Sequence, residues 1–309
     1  MIKYYYKTLR TDDVKELDVP QRGTWVHVEA PNQEEITELV KRFHIEAGLL
    51  EDALDEDEVP RLEREGDQSY IFVRYAYQNQ DGEMDTAPLL IMFDTEVVVT
   101  VSLFHLPAVE ALLGRKGPFA TTQRAKLILL ILSHISEQYD TSISQTSRKI
   151  KSIRSRLRAQ GITNQDLIDF VTLEDELNEF LASLLPTNAT LRRLLIGRHI
   201  PLFDEDQAIV EDLLLNNEQS IDAIRSNLRS IGNIREAYSA ISTNNLNRTI
   251  TLLTIATVLI ALPNVFFGMY GMNIELPFQT QPWAYGLIVG FNVILISIIV
   301  LVSRKKRII

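Results

Sequence analysis

From Thr249 to Ile274 the chain reads TITLLTIATVLIALPNVFFGMYGMNI, with no charged residue between Arg248 and Glu275. A helix rises about 1.5 Å per residue, so about twenty apolar residues cross a bilayer core. The run is long enough to span with some tilt, which predicts a transmembrane helix. A second uncharged run, Leu276 to Ser303, follows at once and ends in Arg304, Lys305, Lys306 and Arg307. The membrane part is therefore a two-helix hairpin at the C-terminal end of the sequence. Its turn holds Pro277 and Pro282, which stop helices, and Tyr270, Phe278, Trp283 and Tyr285, which suit the membrane interface.

The flanks set the orientation. Basic residues precede the first span and follow the second, whereas the turn carries only the acidic Glu275. Lys and Arg favour the cytoplasmic side, so both termini are expected inside, in a multi-pass protein of the plasma or inner membrane. The opening MIKYYYKTLR has no apolar core of a signal peptide, so insertion is expected to use the late helices.

Of the 309 residues, about 245 remain for soluble structure, enough for one large core or one domain with an extension. A net charge of −10 argues against nucleic acid as a partner, since phosphate binding needs a basic surface. It suits cations instead. The absence of cysteine excludes disulfides, thiolate metal sites and cysteine nucleophiles.

Three segments are expected: an α/β domain over 1–120, long-helix stalk over 121–245, and the hairpin over 246–309. In the first, residues 25–30, 69–77, 88–93 and 96–104 read as strands, the last two joined tightly at Asp94-Thr95, and Asn32 as the cap of a helix ending near His44. Beyond residue 121 the pattern becomes long helix: 122–159, 164–196, then Asp204 into the membrane. Gln160-Gly161 and Gly197–Pro201 are the breaks, with Thr163 and Asp166 as cap candidates. On the last helix Ile221, Ile224, Leu228, Ile231, Ile234, Tyr238 and Ile241 form one apolar stripe, with Gly232 the weak point. Such a helix, continued into the first span, approaches roughly 100 Å. It outruns a domain of about 120 residues, and two spans cannot enclose an aqueous path. A symmetric ring of copies solves both problems.

Small and polar residues of the first span share one helical face. Asn247, Thr254, Thr257, Ala261, Asn264 and Gly268 follow one another at seven, three, four, three and four residues, and Ile250 joins them. Small and hydroxylated residues also pack helices in lipid. The amides decide for a water-filled path, because an amide at bilayer depth is costly unless it faces protein or water.

At the end of that span stands Tyr270-Gly271-Met272-Asn273, and here the chain resembles the CorA-type divalent cation channels with their Gly-Met-Asn signature. The likeness extends to Asn244-Asn245-Leu246-Asn247, Glu275, the basic tail, Glu211-Asp212-Leu213 with Gln219, Glu51-Asp52 and Val59-Pro60-Arg61-Leu62-Glu63. The resemblance implies a homopentameric funnel, with an α/β cytosolic domain, long stalk helices, and first spans lining the pore. It places Gly271, Met272 and Asn273 at the filter and Glu275 at the outer mouth. Asn247, Ile250, Leu253, Thr254, Thr257, Ala261, Asn264 and Gly268 then line the path. The transported ion is Mg²⁺, with cobalt and nickel as further candidates. A regulatory Mg²⁺ is expected between neighbouring subunits, at Asp212 of one and Glu83 or Asp85 of the next. Ile250 and Ala261 depart from the larger residues common at those places in the family.

The neighbouring acidic run 51–58 reads first as a solvated face, and Asp204–Asp206 as helix-start residues. The five histidines show no ligand spacing. Two alternatives stay open: a zinc-specialised relative, against which Met272 speaks, and a membrane-tethered adaptor using the hairpin only as an anchor. Nothing in the chain assembles a nucleophile, base and orienter, so an enzyme is not expected.

Overall fold

A computed structural model describes the chain except residues 12, 81, 115–118, 160–162, 197–198, 274–277, 279–280 and 306–309 and the side chains of 157–159. It divides into two compact units, Met1–Asn233 and Ile234–Ile309.

The first unit is built on a seven-stranded sheet. Its strands are β1 (Ile2–Tyr6), β2 (Lys15–Leu17), β3 (Trp25–Glu29), β4 (Arg61–Glu65), β5 (Gln68–Gln78), β6 (Met84–Phe93) and β7 (Val98–Ser102), in the order β2-β1-β3-β7-β6-β5-β4. Among the described residues only the β3–β7 pair is parallel. Both faces are covered, so the central strands are near-continuous apolar runs, which is what burial on two sides demands. One face packs Val26, Val28, Phe72, Leu90, Met92, Val99 and Val101 against Leu39, Phe43, Leu49 and Leu50. The last four come from helices α1 (Gln33–Phe43) and α2 (Ala47–Asp52).

Asn32 starts α1 as read from the sequence. Its side chain accepts from the Glu35 amide, and the Glu35 carboxylate returns the bond to the Asn32 amide. His44, at φ 53°, closes the helix in the left-handed region.

A short helix α3 (Pro107–Leu113) leads to α4 (Arg124–Ala159) and α5 (Asn164–Leu195), which cover the other face of the sheet. Tyr139 of α4 is buried edge-on to Phe180 of α5 at 5.2 Å and donates to the Arg74 carbonyl of β5. Thr163 and Asp166 cap α5 reciprocally. The helix α6 (Asp204–Tyr270) then leaves the first unit and supplies the start of the second, where α7 (Ala284–Lys305) follows.

Strand content exceeds the sequence expectation. The additions, β1, β2 and β4, are outer strands in which charged residues interrupt the apolar alternation, so pairing rather than local pattern makes them strands. The strand read at 88–93 begins at Met84. Its Pro88 lies opposite Arg74 of β5, and β7 pairs only from Leu89 onward. The one read at 96–104 is shorter, Val98–Ser102. Asp94 Oδ1 accepts from the amides of Glu96 and Val97 and turns the chain before it. The breaks at Gly161 and Gly197 lie outside the described residues.

Within the first unit α4 and α6 run side by side in the same direction, joined by a ladder of polar pairs. Ser136 meets Asn217 at 3.2 Å, Ser220 donates to Asp140, and Asn227 donates to Ser147 at 2.7 Å. The rising residue numbers on both helices fix that direction. Ile221, Ile224, Ile231 and Ile234 of the expected stripe are buried, whereas Ile241 is exposed in the single chain.

Candidate ion-conduction site

Two helices among the described residues are long and apolar enough to cross a membrane, the C-terminal part of α6 and α7. In the second unit Phe266 of α6 meets Phe291 of α7 edge-on at 5.2 Å. Thr251, Ile255, Leu259, Leu262, Pro263, Phe266 and Tyr270 are the half-buried positions of α6 there, and Ala284, Ile288 and Asn292 are buried on α7. All eight residues expected to line a path, Asn247, Ile250, Leu253, Thr254, Thr257, Ala261, Asn264 and Gly268, are exposed in the single chain. At about 100° per residue, their face is centred about 150° from the half-buried one. The single hairpin therefore uses one side of α6 and leaves its polar side without a partner.

Hydroxyl orientation on that side is set by the helix itself. Thr254 and Thr257 each donate at 2.9 Å to the carbonyl four residues back, Ile250 and Leu253. With the hydrogen engaged, each oxygen presents lone pairs outward. Such a surface accepts hydrogen bonds, as the outward-pointing hydrogens of a cation's hydration water require.

α6 ends at the Gly-Met-Asn stretch by tightening. The Gly271 amide is shared between Phe267 and Gly268 carbonyls at 3.1 and 3.2 Å, and Met272 donates to Met269 at 3.2 Å. Gly271 is not in the left-handed region. A Cβ there would make only ordinary contacts, 3.4 Å to the Phe267 oxygen. Within one chain nothing demands glycine at 271. Asn273 follows in a bend and is exposed. Glu275 lies outside the described residues.

The three carboxylates expected at a regulatory site stand as separate groups in the single chain. Asp212 is exposed on α6, Glu83 is exposed in the β5–β6 turn, and Asp85 accepts from the Thr86 amide. No group of three or more His, Asp or Glu that could hold a metal occurs among the described residues. The acidic run has a structural occupant. Arg61, stacked over Phe72 at 4.0 Å, pairs with Asp52, Glu58 and Glu63. Those carboxylates hold the Arg61 pKa above its usual value against the opposing pull of desolvation.

One polar group escaped the sequence reading. Asn292 is 4% exposed within α7, donates to the Ile288 carbonyl at 2.9 Å, and leaves Oδ1 buried with no hydrogen-bond partner among the described residues. An amide inside an otherwise apolar span was the available signal.

An α/β unit leading through one long helix into a two-span hairpin, with polar residues gathered on the first span, defines a membrane transporter rather than an enzyme. The chain belongs to the family described as CorA-like Mg²⁺ transporter protein, whose model matches residues 20–305. It is 25% identical over 292 residues to the cobalt/magnesium transport protein CorA of Methanocaldococcus jannaschii, covering 92% of this chain and 91% of the relative. The divalent cation transporter CmaX of Pseudomonas aeruginosa is 25% identical, with 88% and 84% covered. The complete structure of the M. jannaschii CorA magnesium transporter superposes with a TM-score of 0.86 at 22% identity, covering 99% of this chain and 98% of that one. The fold is thus that of a CorA-type protein, and the chain is a CorA-family divalent cation transporter.

Proposed function

We propose that this chain assembles as a homopentamer into a potential-driven Mg²⁺ channel, passing cobalt and nickel as well, with its N- and C-termini in the cytoplasm. Five copies of α6 present their polar faces to a central path, and a ring of Asn273 amides with the Gly271 backbone receives the hydrated ion. The observation that carries this reading is the separation of faces on α6. The half-buried side is apolar except for Thr251, and the exposed face gathers Asn247, Thr254, Thr257, Ala261, Asn264 and Gly268 together with Ile250 and Leu253.

Mg²⁺ gives up water reluctantly, so neutral dipoles that bind its hydration shell are better suited to passage than carboxylates that grip the bare ion. A divalent ion crossing about 100 mV gains roughly 4.6 kcal/mol, so no nucleotide is required. The ring also gives Gly271 a reason. Its backbone is crowded only where five copies converge. Ile250 and Leu253, near the cytosolic end, are the apolar rings that close the path by dewetting. Mg²⁺ bridging Asp212 to Glu83 or Asp85 of the next subunit would hold the closed state, and its loss would let the carboxylates repel.

The test is Mg²⁺ flux into proteoliposomes under an inside-negative potential. The wild type should conduct, and Asn273→Ala should fall to background while remaining pentameric. Normal flux in a correctly inserted Asn273→Ala protein would remove the filter assignment. Zinc flux in place of magnesium would favour the zinc-specialised relative, and an intact oligomer with no flux of any divalent ion would favour the anchor.

A further inference from the structure

Pro263 stands inside α6, within the first span. It has no N–H to give to the Leu259 carbonyl four residues back, and lipid supplies no donor in its place. A helical carbonyl points along the axis toward the residue four places on, so the Leu259 oxygen lies beside the Pro263 ring. Both residues are half-buried, which puts that oxygen on the side α7 covers. The α6 face toward α7 descends in six steps from Tyr270 to Thr251, and the α7 face in six from Ala284 to Ser303. Asn292 stands on the third step, level with Leu262 and Pro263. The contact of Phe266 with Phe291 at 5.2 Å agrees with that register. Asn292 gives its Nδ2 to the Ile288 carbonyl of its own helix, and its Oδ1 is buried with no hydrogen-bond partner among the described residues. Turning the amide over would set Oδ1 against the Ile288 carbonyl, acceptor against acceptor. Two acceptors, the Leu259 carbonyl and Asn292 Oδ1, therefore share one layer of the hairpin.

We infer that one water molecule held between Asn292 Oδ1 and the Leu259 carbonyl bridges the two helices, and that Asn292 is thereby a positioning residue for the helix that lines the path. A water carries two hydrogens and meets two facing acceptors at once. Ala261 and Asn264 flank Pro263 and are exposed, away from α7. A helix that lacks one bond at a proline bends most easily there, so the bridge that satisfies the Leu259 carbonyl also holds Ala261 and Asn264 in one relation to each other. Asn292 touches no ion and acts through α6. The positioning role rests on the conduction reading proposed above, whereas the bridge does not. A buried amide that only packed would be a net cost, and an apolar residue of similar size in its place would stabilise the hairpin. The two accounts differ in the sign of one substitution.

The bridge is tested by thermal unfolding of the full-length oligomer. Asn292→Leu should lower the unfolding temperature by a few degrees. In a Pro263→Ala background, where residue 263 again gives an N–H to Leu259, the same substitution should raise it. A rise in both backgrounds, or an equal fall in both, would overturn the inference. If Asn292→Leu alone fails to assemble, the double variant decides, since restored assembly supports the bridge and continued failure overturns it. A map of the wild-type oligomer in nanodiscs, at a resolution that shows ordered water, should hold a peak within hydrogen-bond distance of both oxygens, and an empty site would overturn the bridge directly. Mg²⁺ flux into proteoliposomes should fall about tenfold in Asn292→Leu, yet less than about twofold when the substitution is added to Pro263→Ala. Unchanged flux in Asn292→Leu would overturn the positioning role. Absence of flux in the wild type would instead remove the conduction reading and leave the unfolding comparison and the map standing.

Discussion

The two units solve opposite problems. In the first, Trp25, His27 and Thr100 sit on adjacent strands and satisfy one another inside a single chain. The Trp25 indole N–H donates to Thr100 Oγ1 at 3.0 Å, and His27 Nδ1 lies 3.0 Å from the same oxygen. In the second, Thr254 and Thr257 satisfy only their hydrogens, on their own helix, and turn their oxygens outward. A threonine in the sheet completes a core. A threonine on the polar face of α6 leaves its oxygen exposed, and under the proposed function a neighbouring copy or a hydrated ion supplies the other half of the contact.

The largest way to sharpen that contrast is Trp25→Ala. Trp25 is fully buried and packs on Tyr5 at 5.5 Å, so its removal should cost about 3–5 kcal/mol of first-unit stability. Denaturant unfolding of the detergent-solubilised protein, followed by circular dichroism, measures it. A loss below about 1 kcal/mol would mean that the sheet is not the stabilising element.

Next comes acid. Burial, the dominant cause, lowers the His27 pKa from 6.5 to about 4, although Glu29 pulls the other way. The unfolded chain then takes the proton first. Stability from this group is complete above pH 6.5, declines between 6.5 and about 4, and is level below. The full decline amounts to about 3 kcal/mol. His27→Gln should flatten that part of the stability profile, and an unchanged slope would assign it to other groups.

The smallest and most discriminating test makes one substitution in both places. Thr100→Val leaves the Trp25 indole N–H and His27 Nδ1 without their shared partner and should cost about 1–3 kcal/mol of stability. Thr257→Val should leave unfolding within about 0.5 kcal/mol of wild type. It should instead lower Mg²⁺ flux about tenfold, by removing one ring of acceptors. If Thr257→Val destabilises the protein and spares flux, the polar face is packing surface rather than path.

Legibility followed the range of the forces involved. The spans, the Asn32 and Thr163 caps and the long helices were readable because apolar length and capping are local. The strands β1, β2 and β4 were not, since their charged sequences become strands only through pairing with distant segments. Arg61 was visible as part of a family motif, yet its role as the cation that gathers Asp52, Glu58 and Glu63 needed the fold. Of the candidate site, the spacing of Asn247 to Gly268 could be read directly as one face. Gly271 and Asn273 stood out only through resemblance to a family, because nothing within one chain demands glycine at 271 and Asn273 is simply exposed. Asn292 is a lone amide with only apolar residues three and four positions away, so its burial became visible only in the fold.

The threonine hydroxyls of α6 carry one more consequence. A channel wall made cation-friendly by carboxylates loses its sign when those groups take up protons. Here the polarity comes from bond orientation, with hydrogens held on the Ile250 and Leu253 carbonyls and lone pairs facing out. None of the eight residues on that face ionises. On the reading proposed here, acid would act on transport only through titratable groups elsewhere in the chain, while this face keeps its polarity at any pH.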